Sequence, residues 1–85
     1  MTASFSPGFH KRIKRVPTKV RQRFKVRLAL FLEDPYNQLL RNHILVGKFS
    51  GYRSINITGD WRAVFQLSGS DAYFVEIGTH SYLYG

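Results

Sequence analysis

The chain contains no cysteine, which excludes both a disulfide framework and a zinc site built on thiolates. Acidic residues are scarce: five Asp and Glu stand against thirteen Lys and Arg, for a net charge of +8. No apolar run is long enough to span a bilayer. The segment Met1 to Pro7 lacks the basic-then-apolar order of a signal peptide. A cytoplasmic location with no membrane partner is the expectation. The three histidines show no helical or strand pairing that would suggest metal ligands. No glycine-rich phosphate loop and no Ser-His-Asp order stands out, so neither metal nor cofactor is expected. Repeats, low-complexity tracts and linkers are also missing.

What remains is ordinary globular material. The 85 residues, 44% hydrophobic and 21% charged, fit one domain spanning 1–85 and argue against bulk disorder. A domain of this size buries a modest share of its surface, so its stability is expected to be marginal. The positive charge is concentrated. Lys11, Arg12, Lys14, Arg15, Lys19, Arg21, Arg23, Lys25 and Arg27 crowd into one short stretch. Such a field attracts a polyanion and speeds its capture. Nucleic acid, an anionic membrane surface and an acidic protein would each answer to it, as would a solvated helix face with no partner.

The spacing of apolar residues predicts the elements. Residues 2–5 form a short first strand with Ala3 and Phe5 on one side. Ser6-Pro7 is an N-cap followed by proline at the first helical position. Phe9, Ile13 and Val16 then make one stripe, giving a first helix from Pro7 to about Arg15. Pro17 interrupts it. Thr18 to Glu33 is the strongest helix, with Val20, Phe24, Leu28, Phe31 and Leu32 on one face and Arg21, Arg23, Lys25 and Arg27 largely off it. Asp34-Pro35 ends that helix. Residues 36–51 read as irregular, pinned to the core by Leu39, Leu40, Ile44 and Leu45. From there the period changes to two. Strands over 52–57, 61–67 and 72–77, joined by the turns Thr58-Gly59-Asp60 and Ser68-Gly69-Ser70-Asp71, make an antiparallel meander. The predicted class is α+β with order β-α-α-β-β-β, two N-terminal helices packed on one face of a mainly antiparallel sheet.

Four pieces in register carry more than pattern: Asn42-His43-Ile44-Leu45-Val46-Gly47, Gly51-Tyr52-Arg53-Ser54-Ile55, Gly59-Asp60-Trp61-Arg62-Ala63-Val64-Phe65, and Ile77-Gly78-Thr79-His80-Ser81-Tyr82-Leu83-Tyr84. The series resembles the YafQ branch of the RelE/ParE toxin superfamily, over roughly residues 40–85, and the closing piece is the most specific. The resemblance implies a RelE-like fold and the toxin of a toxin–antitoxin pair. It implies entry into the ribosomal decoding site, metal-independent cleavage of the bound messenger RNA, and silencing by a cognate antitoxin. Two other readings remain open: a ParE-type toxin that shares the fold and acts on DNA gyrase, and a basic RNA- or protein-binding module whose site has decayed.

Cleaving RNA without a metal needs a base for the 2′-hydroxyl, an acid for the departing 5′-oxygen, cations for the phosphorus oxygens and something to hold the backbone in line. Histidine suits both proton roles. The resemblance implies functional roles for His43 and His80, with His80 as acid and His43 as base or RNA contact. Taken alone, His43 reads better as a loop histidine bonding a backbone carbonyl, and His80 as a C-terminal histidine that packs or is merely exposed. Asp60 matches an acidic position of the YafQ branch and is also plain turn chemistry. Arg62 matches an arginine of the RelE and YoeB branches, and should face away from Trp61, Ala63 and Phe65. Arg53 is a second candidate for phosphate, because an arginine fork suits phosphate oxygens. Arg53 also alternates in phase with Ile55 and Ile57, which favours a structural arginine paired with Glu76 or a carbonyl. Tyr84 matches the family's C-terminal aromatic, which positions or stacks on RNA, and is alternatively a core plug. Trp61 and Phe65 read as core, and His10 as surface charge. Lys11, Lys14, Arg15, Arg21 and Lys25 are the expected grip on ribosomal RNA. One departure stands out: where the YafQ branch carries a further histidine, this chain has Asn56, which cannot transfer a proton at neutral pH.

Overall fold

A computed structural model describes residues 1–85. In chain order it holds β1 (Thr2–Phe5), α1 (Pro7–Ile13), α2 (Thr18–Glu33), β2 (His43–Ile44), β3 (Arg53–Asn56), β4 (Trp61–Ser68), β5 (Asp71–Thr79) and α3 (His80–Tyr84). Short 3-10 turns occupy Gln38–Leu40 and Gly47–Phe49. The five strands form one sheet in the order β1-β5-β4-β3-β2. β1 runs parallel to β5, and all other pairs are antiparallel.

Local chemistry explains most boundaries. Ser6 caps α1, its hydroxyl accepting from the Phe9 amide at 3.0 Å, with Pro7 in the first turn. α1 stops at Ile13, two residues before Arg15. The residue before Pro17 is pushed out of helical geometry, and the chain leaves through a turn in which Arg15 N–H bonds Arg12 O at 2.9 Å. The Arg21 guanidinium then donates to the carbonyls of Ile13 and Lys14, both at 3.3 Å, supplying a cation where the carbonyls of α1 end.

Both long helices pack on the same face of the sheet. Phe9, Val16, Val20, Phe24 and Phe31 meet Ile55, Ile57, Ala63, Phe65, Ala72, Phe74 and Ile77 in the main core. A smaller cluster of Leu45, Val64 and Leu83 sits on the other face. A bulge assigns residues to faces on β5. The register passes from Val64↔Glu76 to Phe65↔Phe74, leaving Val75 as an extra residue. Strict alternation would set Phe74 and Ile77 on opposite faces; the bulge lets both enter the main core.

The segment read as irregular is more ordered than its spacing suggests. Asn37 starts a 3-10 turn, its Oδ1 accepting from Leu39 N–H at 2.9 Å. Arg27 reaches from α2 to Leu39 O at 2.9 Å. His43 and Ile44 then pair with Ser54 and Arg53, extending the sheet by one strand. The C-terminal piece also departs from the expected order. β5 continues to Thr79, and the last residues form α3 over the smaller cluster.

Candidate active site

The cleft lies on the sheet face away from α1 and α2. Directly opposed residues of an antiparallel pair point to one face. The registers His43↔Ser54, Asn56↔Arg62 and Arg62↔Gly78 therefore place His43, Asn56 and Arg62 together. α3 closes the far wall. The resulting cleft, of about 670 Å³, is lined by Arg41, Asn42, His43, Leu45, Val46, Asn56, Arg62, His80 and Tyr84. Four of the five proposed catalytic side chains are among them; Asp60 is not.

His43 sits on the shortest strand, and its ring is held from behind. Nδ1 lies 2.7 Å from Arg41 O. A carbonyl only accepts, so Nδ1 carries the hydrogen and the lone pair of a neutral ring falls on Nε2. The carbonyl bond and the functional reading of His43 are thus two halves of one arrangement. Arg41 adopts the left-handed region at φ 47°, which turns its carbonyl back toward the ring that follows. Asn42 fixes the same corner, donating from Nδ2 to Pro35 O at 2.9 Å and accepting the Nε–H of Arg53 on Oδ1 at 2.8 Å.

Arg53 is therefore not in the cleft. Its register partners Ile44 and Phe65 share the helix-side face, and its guanidinium lies over the Tyr36 ring at 5.5 Å. The structural reading holds for Arg53, with a different partner: Asn42 takes it, and Glu76 pairs with Arg12 at 2.6 Å. Asp60 also falls elsewhere. Its exposed carboxylate makes no ion pair, and it is the Asp60 carbonyl that accepts the His80 amide, at 3.0 Å.

His80 opens α3. Thr79 caps the helix, its Oγ1 accepting from the Tyr82 amide at 3.1 Å. The four-residue spacing sets the His80 and Tyr84 rings edge to face, with centroids 4.9 Å apart. Tyr84 also meets Phe49 at 6.2 Å, so it is one wall of the cleft and not a core plug; Leu83 is the buried one. Arg62 faces away from the main core as expected. Its Nη1 donates to the carbonyls of Thr58, Gly59 and Trp61 at 3.3, 3.1 and 3.2 Å, while Nε and Nη2 have no partner within the chain. Asn56, the departure from the family pattern, is in the cleft beside Arg62.

None of the five basic residues assigned to RNA lines this cleft. Lys11 and Arg15 border a separate hollow of about 370 Å³ between α1, Trp61 and Tyr82. Lys14 and Lys25 are exposed, and Arg21 is engaged by the end of α1. Arg41, Asn42, Leu45 and Val46 are cleft residues that sequence reasoning did not single out, although the first quoted piece contains three of them.

The family model for the bacterial toxin of type II toxin–antitoxin systems, YafQ, matches residues 1–85. The chain belongs to the YafQ family. The mRNA interferase toxin YafQ of Escherichia coli (strain K12) is 31% identical over 51 residues, which are 60% of this chain. Those residues span 55% of that YafQ, so the match covers about half of the relative's length. Two solved structures share the fold. YafQ from E. coli strain BL21(DE3) aligns with a TM-score of 0.80 at 23% identity, over 98% of this chain and 97% of that one. YafQ in the E. coli DinJ–YafQ toxin–antitoxin complex aligns with a TM-score of 0.77 at 23% identity, over 98% and 96%. YafQ membership thus rests on the whole chain, and the mixed fold of a five-stranded sheet and three helices is shared with its relatives.

Proposed function

We propose that this chain is a toxin that cuts messenger RNA on the ribosome, without a metal, by attack of a 2′-hydroxyl on the adjacent phosphate. The observation that carries the reading is the convergence of His43, Arg62, His80 and Tyr84 on one cleft from three separate pieces of sequence. In this reading the free Nε2 of His43 takes the 2′-hydroxyl proton. The 2′-oxygen bonds to phosphorus, the bond to the 5′-oxygen breaks, and His80 delivers a proton to that oxygen. The products are a 2′,3′-cyclic phosphate and a 5′-hydroxyl end. The free N–H groups of Arg62 steady the charge that grows on the phosphoryl oxygens. Tyr84 stacks on the RNA. Asp60 serves through its main chain by holding His80. Arg53 serves through Asn42 by holding the strand that carries His43. Asn56 contributes hydrogen bonds only.

Lys11, Lys14, Arg15 and Lys25 grip ribosomal RNA, and the whole of 1–85 acts as one toxin domain in the cytoplasm. A cognate antitoxin is the regulatory partner. The E. coli relative that shares the fold is held in a complex with DinJ, which supports this part of the reading.

Induced expression in bacteria, with mapping of message 5′ ends, tests the proposal. Growth arrest with new codon-linked cuts bearing 5′-hydroxyls is the expected result. Arrest with intact messages would instead point to gyrase, and no arrest to a decayed binding module.

A further inference from the structure

α3 holds two of the four proposed catalytic side chains of the cleft but has only five residues. A helix this short has no stability of its own in water, so its orientation must come from what touches it. Leu83 anchors one side, buried with Leu45 and Val64. The other side depends on Tyr82. An ideal Cβ built on Gly78 would lie 2.5 Å from Tyr82 Cδ2, so the Tyr82 ring rests directly on the glycine backbone. Over the same ring lies the Arg12 guanidinium, 4.4 Å from the centroid. Arg12 is itself fixed, because its Nε is 2.6 Å from Glu76 Oε1, and that oxygen also accepts the Ile77 amide at 3.2 Å. A continuous run of contacts therefore joins β5 to Glu76, to Arg12, to Tyr82 and to α3.

We infer that Arg12 is a positioning residue that clamps Tyr82 and so sets the orientation of the His80–Tyr84 pair. This rests on the cleavage reading of His80. Arg12 differs from its basic neighbours: Lys11, Lys14 and Arg15 are exposed, whereas Arg12 is half-buried and spent on an internal ion pair and a ring. The Tyr82 ring is 52% exposed and the Arg12 side chain 39% exposed, so the contact lies at the surface and depends on the Glu76 pair to hold the guanidinium in place.

The clamp separates from RNA gripping by kinetics. Message cleavage on programmed ribosomes is followed across toxin concentrations. Arg12→Gln is expected to lower the saturating rate by about ten- to a hundredfold, the effect of a small misplacement of catalytic groups. The half-saturating concentration should move less than about twofold. Arg12→Lys keeps a cation over the ring and should recover part of the rate. Tyr82→Leu should reproduce the loss, and the double variant should add little to it. A raised half-saturating concentration at unchanged rate would make Arg12 a phosphate contact and overturn the inference, as would no change in either. Hydrogen exchange on the free chain decides the clamp independently of cleavage. Arg12→Gln should speed exchange of the His80, Tyr82 and Gly85 amides and leave β4 protected; unchanged α3 amides would sink it. If the unaltered chain cuts no message, the cleavage reading fails, and exchange still reports whether Arg12 holds α3.

Discussion

At the scale of residues, one hydrogen bond can decide what a side chain is able to do. The Arg41 carbonyl at 2.7 Å places the hydrogen of His43 on Nδ1 and leaves the lone pair of a neutral ring on Nε2, as the proposed base role requires. Ser54 is the opposite case. It is fully buried on the cleft face, register partner to His43, and its hydroxyl has no hydrogen-bond partner. An unsatisfied buried hydroxyl costs about 1–3 kcal/mol, so Ser54→Ala should stabilise the chain by about 1 kcal/mol. A thermal melt should show the midpoint rising by several degrees, roughly 4–8 °C per kcal/mol in a domain of this size; a fall would mean that the hydroxyl is satisfied in solution. A motif names side chains, and four of those it named, His43, Arg62, His80 and Tyr84, line one cleft. Arg53 and Asp60 lie outside that cleft. The phase of Arg53 with Ile55 and Ile57 was visible in the sequence, but its partner Asn42 lies eleven positions away, across the β2–β3 pairing. Asp60 acts through a main-chain carbonyl, and every residue type has one.

At the scale of elements, legibility followed length. α2 spans Thr18–Glu33 as its apolar stripe predicts, and β3, β4 and β5 fall within two residues of their patterned runs. β2 has two residues and α3 has five, too few for either period to register. The signal for α3 was a cap, since Thr79 precedes the helix and accepts from Tyr82 N–H. The Val75 bulge left no sequence signal, because one extra residue only shifts the phase. The basic stretch divides by element as well. Of the five residues expected to grip ribosomal RNA, Arg21 is spent on internal contacts, which leaves Lys11, Lys14, Arg15 and Lys25 as the proposed phosphate contacts. Four phosphate contacts imply that ribosome affinity falls roughly a hundredfold between about 50 and 200 mM salt. Equilibrium binding across that range should show this slope, and a flat response would remove the role given to these four residues.

At the scale of the molecule, one aromatic cluster ties the layers together. Phe74 meets Phe5, Phe9, Phe24, Phe31 and Phe65 at centroid distances between 5.1 and 5.9 Å. It thus links β1, both long helices, β4 and β5. Removing a buried phenylalanine side chain costs about 3–5 kcal/mol, a large part of the roughly 4–13 kcal/mol available to a chain of this length. Phe74→Ala should therefore be largely unfolded near 37 °C by circular dichroism, and a cooperative melt close to that of the unaltered chain would contradict this core. The same architecture sets α1 and α2 on one side of the sheet and the cleft on the other, so the proposed gripping and cutting would use different faces. On the proposed function, the cleft cuts RNA through His80. The most direct test is cleavage of message by the purified chain on programmed ribosomes, with and without His80→Ala. The unaltered chain should leave 5′-hydroxyl ends, and loss of the general acid should slow the cut by about 10²- to 10⁴-fold. Equal cleavage by the two proteins would rule out His80 as the acid.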